Sequence, residues 1–235
     1  MIRASNVTKR FGKLTALDNI NLTLNKGESI ALIGPNGSGK TTFIKCLLGM
    51  VVPDSGLITV NNYDIKADWK YRSRIGYMAQ VGRFPDNMTI AQVIHMMKDI
   101  RKPFTRIIDD ELVQRFNLGA MMEKRMRTLS GGTRQKVGAC LAFMFQPDIL
   151  ILDEPTAGLD PVSTEILKVK ITKEKANGKL ILITSHVLSE LDEIITEVVY
   201  MQEGKVKFHK SFDQLKEDTG ANQLSKAMAH VMQNN

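Results

Sequence analysis

"GESIALIGPNGSGKTTFIKCLLGM", residues 27–50, changes character twice within a short span. Ile30 to Ile33 form an apolar run, a glycine-rich turn follows, and Phe43, Ile44, Leu47 and Leu48 then recur at helical spacing. The segment reads as a strand, a loop and a helix. Between strand and helix, "GPNGSGKT" (Gly34, Pro35, Asn36, Gly37, Ser38, Gly39, Lys40, Thr41) matches the phosphate-binding pattern GxxxxGK(S/T). Its glycines let backbone N–H groups converge on phosphate oxygens, and the helix N-terminus adds partial positive charge. Lys40 reaches the outer phosphates, and the Thr41 hydroxyl is placed to hold Mg²⁺. A chance match in a chain of this length has odds of about one in a hundred.

Two more segments behave like the first strand. "PDILILDEP" (147–155) and "GKLILITSH" (178–186) hold continuous aliphatic runs ending in polar groups, the pattern of strands buried on both faces of a parallel sheet. Between them "PVSTEILKVKITKEKANG" (161–178) has helical spacing and stops at Asn177-Gly178. An α/β core with chemistry at its strand ends follows. Residues 1–28 alternate polar and apolar, as in "NLTL" (21–24), which predicts a small antiparallel sheet. Residues 81–146 show helical pattern and no convincing strand. Within them, Val137, Cys140, Leu141, Met144 and Phe145 fall on one stripe of a helix.

Composition narrows the class. The chain has 235 residues, 43% apolar and 24% charged, enough for one sizeable core with a lobe inserted into it. Cys46 and Cys140 form no CxxC pair, so neither a disulfide framework nor a zinc site is indicated. "MIRASNVTKRF" lacks the apolar core of a signal peptide, and no apolar run nears the ~18 to 20 residues of a bilayer span. A soluble protein in a reducing cytoplasm is expected. The net charge of +7 divides as +6 over residues 1–80, +5 over 81–147 and −4 over 148–235. Nucleotide phosphates, an anionic membrane surface or nucleic acid all suit the positive end, although single clusters such as "KRMR" (124–127) read at least as well as a solvated face.

Four further positions carry chemistry. Asp153 ends a buried strand where it can hold Mg²⁺ through water, and Glu154 beside it is a candidate base for an attacking water. His186 follows another strand; a lone histidine there is more often structural, and the phosphate loop reverses that balance. Gln80, closing "RIGYMAQ" (74–80), is a weak signal by itself. In "TLSGGTRQKVGACLAF" (128–143), Ser130, Gly131 and Gly132 open a helix with a hydroxyl and two unobstructed N–H groups, which makes a second anion site. One bound nucleotide needs only one cradle. The simplest use of a second is the nucleotide of another copy of the protein, giving a head-to-tail pair with ATP between subunits.

Taken in order, Phe11 in "RFGKLTAL", the loop 34–41, Gln80, "LSGGT" (129–133), "ILILDEP" (149–155), "AGLD" (157–160) and His186 resemble the ATP-binding subunit of ABC transporters over nearly the whole chain. The resemblance implies a P-loop NTPase with a RecA-like parallel-sheet core, an N-terminal antiparallel β subdomain and an inserted α-helical subdomain. It divides the single domain into a core of 1–80 and 147–207, a helical lobe of 81–146 and a tail of 208–235. It also implies that Phe11 stacks on adenine, Thr42 joins the loop in holding ATP, Gln80 joins Mg²⁺ and the lobe interface, Asp160 contacts the opposing subunit and His186 senses the γ-phosphate. A homodimer on ATP binding, a membrane permease as partner and a peripheral place at the inner face of the cell membrane follow; no nucleic acid is expected. Thr133 stands where the family's signature has glutamine, and Ala79 where proline is common.

More narrowly, "LSGGTRQKV", "LDEPTAGLDPVSTEILK", "LITSHVLSELDEI" and "FDQLKEDTGANQLSKAMAHVM" are similar to the ATPase of the copper-linked ABC transporter that matures bacterial nitrous oxide reductase. "HMM" (95–97) and the 13 methionines read as core filling rather than as copper ligands. ATPases of drug, lipid or haem exporters are the alternative, followed by a soluble, non-transport member of the superfamily. Translation-linked members resemble two such domains in one chain, and chromosome-linked members carry a long coiled coil where only 48 residues separate Gln80 from Leu129. A GTPase or small-molecule kinase would leave "LSGGT" unexplained.

Overall fold

A computed structural model describes residues 1–105 and 107–233. Residue 106, inside the expected lobe, and residues 234 and 235, the end of the expected tail, lie outside them. The chain gathers into two compact units, Met1–Arg72 with Leu180–Asn235, and Ser73–Lys179. The fold is mixed α/β, with parallel strands, a separate antiparallel sheet and seven α-helices among the described residues.

In the first unit, β1 (Ile2–Phe11) lies between β2 (Leu14–Leu24) and β4 (Ser55–Val60), antiparallel to both, and β5 (Tyr63–Asp64) extends β4. Register slips along β1 and β2 fall where Asn6 and Asn19 take positive φ, which asparagine tolerates better than most residues. In a second sheet β3 (Ser29–Ile33) runs parallel to β8 (Leu180–Thr184) and β9 (Glu197–Gln202), with β10 (Lys205–Ser211) antiparallel to β9. Every residue of β3 and β8 is buried, and each fully buried aliphatic side chain contributes about 1.5–3 kcal/mol. The helix α1 (Lys40–Leu47) leaves the end of β3, and α6 (Phe212–Thr219) and α7 (Leu224–Gln233) close the chain.

In the second unit β6 (Ile75–Met78) pairs in parallel with β7 (Ile149–Asp153), whose five residues are all buried. Residues 81–146 carry α2 (Ile90–Arg101), α3 (Glu111–Arg115) and α4 (Gly131–Phe143), and no named strand among the described residues. A capping box starts α2, with Thr89 and Gln92 each accepting the other's backbone N–H. On α4 the single expected stripe is too narrow: Leu141 is only partly buried, whereas Gln135, Ala139 and Ala142 are buried beside Val137 and Cys140. Core packing takes more of this helix than its apolar pattern advertises. Met96 and Met97 on α2 are likewise only partly buried rather than core filling.

The helix α5 (Pro161–Ala176) begins with Asp160 as N-cap and Pro161 in the first turn and ends at Asn177. Its Lys170 is only 1% exposed and meets Asp109 at 2.6 Å, Glu111 at 2.9 Å and Glu174 at 3.0 Å, while Lys173 and Lys179 add pairs to Glu111 and Glu174. Burial pulls the Lys170 ammonium down, but the hydrogen bonds it donates to the three carboxylates raise it above the ordinary lysine range. Hydrogen bonds from Lys173 and Lys170 hold Glu111 at about 2. Lys170→Met would strand acidic groups without their cation, and a loss of about 3–5 kcal/mol in denaturant unfolding is expected. The wild-type network also has a defined acid limit. Because the folded Glu111 pKa is depressed, its contribution is complete above the usual 4.5 and fades as pH falls toward about 2. Thermal melts between those values should show a downward slope that Lys170→Met flattens.

Candidate functional site

The glycine-rich loop expected to bind phosphate joins β3 to α1, and the structure makes it from backbone more than from side chains. Gly39, the N-cap of α1, has φ +103 and no side-chain cap, and a Cβ there would stand 2.5 Å from the Ala16 carbonyl on β2. Only glycine satisfies both the conformation and the close approach. No acidic residue occupies the first turn of α1, so the helix N-terminus keeps its partial positive charge. The Lys40 Nζ donates to the Gly34 carbonyl at 2.7 Å and the Pro35 carbonyl at 3.1 Å, which ties the ammonium to the loop. Ser38 Oγ is buried and has no hydrogen-bond partner among the described residues. Uncapped helix amides, an ammonium and an orphaned hydroxyl together fit a polyphosphate group.

The rest of the first unit arranges two further candidates around this loop. Phe11 is half-exposed at the end of β1, with Lys9 Nζ 5.3 Å from its ring centroid. It pairs with Leu14, two residues along β2 from the Ala16 that touches Gly39. His186 is exposed just past β8; because β3 and β8 are parallel, with Ala31 opposite Ile183, His186 and Gly34 leave the sheet at the same end. Thr41 is exposed, and Thr42 partly so, on the first turn of α1.

The second unit repeats this logic. Met78 lies opposite Leu152 in the parallel pair β6 and β7, so Gln80 and the acids Asp153 and Glu154 emerge at one end. Both acids are buried, at 7% and 8% exposure. Burial, reinforced by the charge of Asp153, pushes the Tyr77 hydroxyl up to about 12, so it stays protonated at neutral pH. Glu154 itself has φ +51, a region that few residues with side chains enter.

At α4, Ser130 is an N-cap whose Oγ accepts the Thr133 N–H at 3.2 Å and lies 2.9 Å from the Thr133 hydroxyl. Ser130 and Gly131 are exposed. A Cβ on Gly132 would sit 2.6 Å from the Gly158 carbonyl, so glycine is needed there for packing against the 154–160 loop as well as for access. Asp160 at the end of that loop accepts from Lys136 Nζ at 2.8 Å and from the Ser163 N–H at 2.9 Å and hydroxyl at 2.8 Å. Those hydrogen bonds, Lys136 first, hold its carboxyl far below the usual aspartate range. Sequence reasoning missed Gln135 and Lys136, because a glutamine and a lysine on a helix read as solvent-facing.

Comparison with known proteins covers the same residues. A family model described as "ABC transporter" matches residues 17–157. The lantibiotic transport ATP-binding protein SrtF of Streptococcus pyogenes is 31% identical over 218 residues, which span 91% of this chain and 92% of SrtF. A solved ATP-binding subunit of an ABC transporter superposes with a TM-score of 0.90 and 25% identity, covering 99% of both chains. The dimeric post-hydrolysis state of the cassette MJ0796 with ADP and Pi shares the fold at a TM-score of 0.80, with 22% identity over 90% of this chain and 98% of that one.

Proposed function

The chain belongs to the ABC transporter ATP-binding family and is an ATPase, and from that premise we propose that it powers transport through a separate membrane subunit by ATP-dependent head-to-tail dimerisation. The observation that carries the reading is the pair of glycine-opened helix starts, Gly39 before α1 in one compact unit and Gly131-Gly132 of α4 in the other. Each offers N–H groups to an anion. In this reading 1–80 and 147–207 form the nucleotide core, 81–146 the lobe that engages the second copy, and 208–235 the tail.

Within that scheme Gly34 to Thr42 hold the phosphates and Phe11 stacks on the base. Lys40 faces the outer phosphates, and the Glu154 carboxylate takes a proton from the attacking water. Ser130, Gly131, Gly132 and Asp160 meet the second copy, and His186 contacts the outer phosphate. Thr41, Gln80 and Asp153 are the residues assigned to Mg²⁺, which when bound neutralises charge on the outer phosphate oxygens.

No helix among the described residues is long and apolar enough to cross a membrane. The reading therefore requires docking at the cytoplasmic face, through residues around 80–100. There α2 lines an open groove of ≈ 750 Å³ with Met88, Gln92, His95, Met96 and Ile100. Where a membrane subunit is encoded beside it, co-expression of the two is expected to carry the ATPase into the detergent extract. An ATPase that stays in the soluble fraction with that subunit present would favour the soluble alternative.

As to cargo, similarity to a lantibiotic transport protein supports an antibiotic or drug exporter. The copper-linked reading rests on the four segments from "LSGGTRQKV" to "FDQLKEDTGANQLSKAMAHVM". Among the described residues no group of three or more His, Cys, Asp or Glu could hold a metal ion, so that reading assigns any copper to the membrane subunit. Stimulation of the co-purified complex by Cu(I) rather than by a lantibiotic would decide for it.

A further inference from the structure

Helix α4 does more than present Ser130 to Gly132. One turn further on, Gln135 is buried at 5% exposure and its Nε2 donates to the Glu154 carbonyl at 3.2 Å. The next residue, Lys136, holds the Asp160 carboxylate. Adjacent side chains of one helix thus grip both ends of the 154–160 loop, while Gly132 packs against its middle at Gly158. Glu154 stands in the left-handed region at φ +51, a conformation that persists only where the surroundings enforce it. Two donors reach its carbonyl, Gln135 from α4 and the Ala157 N–H at 3.1 Å within the loop. The first ties Glu154 to another element.

The geometry points to Gln135 as a positioning residue for hydrolysis: by fixing the Glu154 backbone it sets where the carboxylate stands, and with Lys136 it makes the second anion site and the base of the same chain one mechanical piece. Contact of α4 with the other copy's nucleotide then bears directly on the placement of Glu154. The inference rests on the proposed role of Glu154 as base.

Gln135→Met keeps the side-chain length and removes the N–H donor. Its kcat is expected to fall about 10- to 100-fold with the KM for ATP little changed, since misplacement of a catalytic group costs rate rather than binding. In a Glu154→Gln background the same substitution should lower the residual rate by no more than about twofold, because the group it positions is already inactive. Losses that multiply in the double variant would overturn the inference, as would a Gln135→Met enzyme with wild-type kcat.

Lys136→Met, at a more exposed pair, serves if Gln135→Met does not fold. A kcat loss at unchanged KM, restored by Lys136→Arg and absent in the Glu154→Gln background, is expected; a loss that persists in that background overturns the inference. Wild-type turnover by Glu154→Gln alone would remove the base itself, and so separates failure of the functional reading from failure of this one.

Discussion

Lys40→Ala is expected to abolish measurable ATP hydrolysis and to weaken ATP binding greatly. The ammonium is held to the loop by the Gly34 and Pro35 carbonyls, so in the proposed reading it is the fixed cation of the phosphate site rather than a mobile surface charge. Loss of one preorganised donor to a developing oxyanion typically costs about 10²- to 10³-fold in rate, and here a full charge goes with it. Backbone amides of α1 cannot compensate, since they lack net charge and remain in place in the variant. Lys40→Arg keeps the charge but not the shape of a compact ammonium, and should recover little activity. Phosphate release and fluorescent-nucleotide titration give the two readouts. Folding should be intact, because the Gly34 and Pro35 carbonyls that Lys40 meets lie within a short loop whose conformation is set by Gly39 against Ala16. Normal turnover by Lys40→Ala would sink the assignment of the loop.

Glu154→Gln is expected to slow hydrolysis by roughly 10²- to 10⁴-fold while leaving ATP binding in place. Glutamine preserves size and hydrogen bonding and removes only the base. It also inherits the φ of +51, so the backbone strain is unchanged. In the proposed mechanism ATP then persists between the loop of one copy and Ser130 to Gly132 of the other, and its outer phosphate links two surfaces that ADP cannot bridge. Light scattering on the variant should show a dimer with Mg·ATP and mostly monomer with ADP. Adding Ser130→Arg should prevent pairing by filling the exposed helix start. Protein concentration, salt and detergent must be held fixed, because weak dimers follow mass action. Equal association with ATP, with ADP and in the Ser130→Arg background would remove the sandwich mechanism.

The elements that were legible in advance are those whose cause is local. The buried runs of β3, β7 and β8 announce themselves because strands covered on both faces need no polar alternation. The stop of α5 at Asn177-Gly178 and the phosphate loop are written in residues that only certain backbones accept. Sequence alone thus determined the α/β class, the glycine-rich loop between β3 and α1 and the positions of the acids at a strand end.

Tertiary structure decided which polar side chains are buried and what they grip. Lys170 looks like a solvated helix residue until α3 brings Asp109 and Glu111, some 60 positions away, within ion-pair distance. Arg101 seems a surface charge at the end of α2, yet its guanidinium donates to the Ser73 and Ile75 carbonyls. Gln135 and Lys136 lie within "LSGGTRQKV", yet only the packing of α4 on the 154–160 loop shows them to be its holders. Even the left-handed backbone at Glu154 is invisible in its neighbours Asp153 and Pro155. The physical reason is the same in each case: local propensity fixes backbone conformations, whereas the partner of a charge or an amide is chosen by long-range packing that no short window of sequence contains.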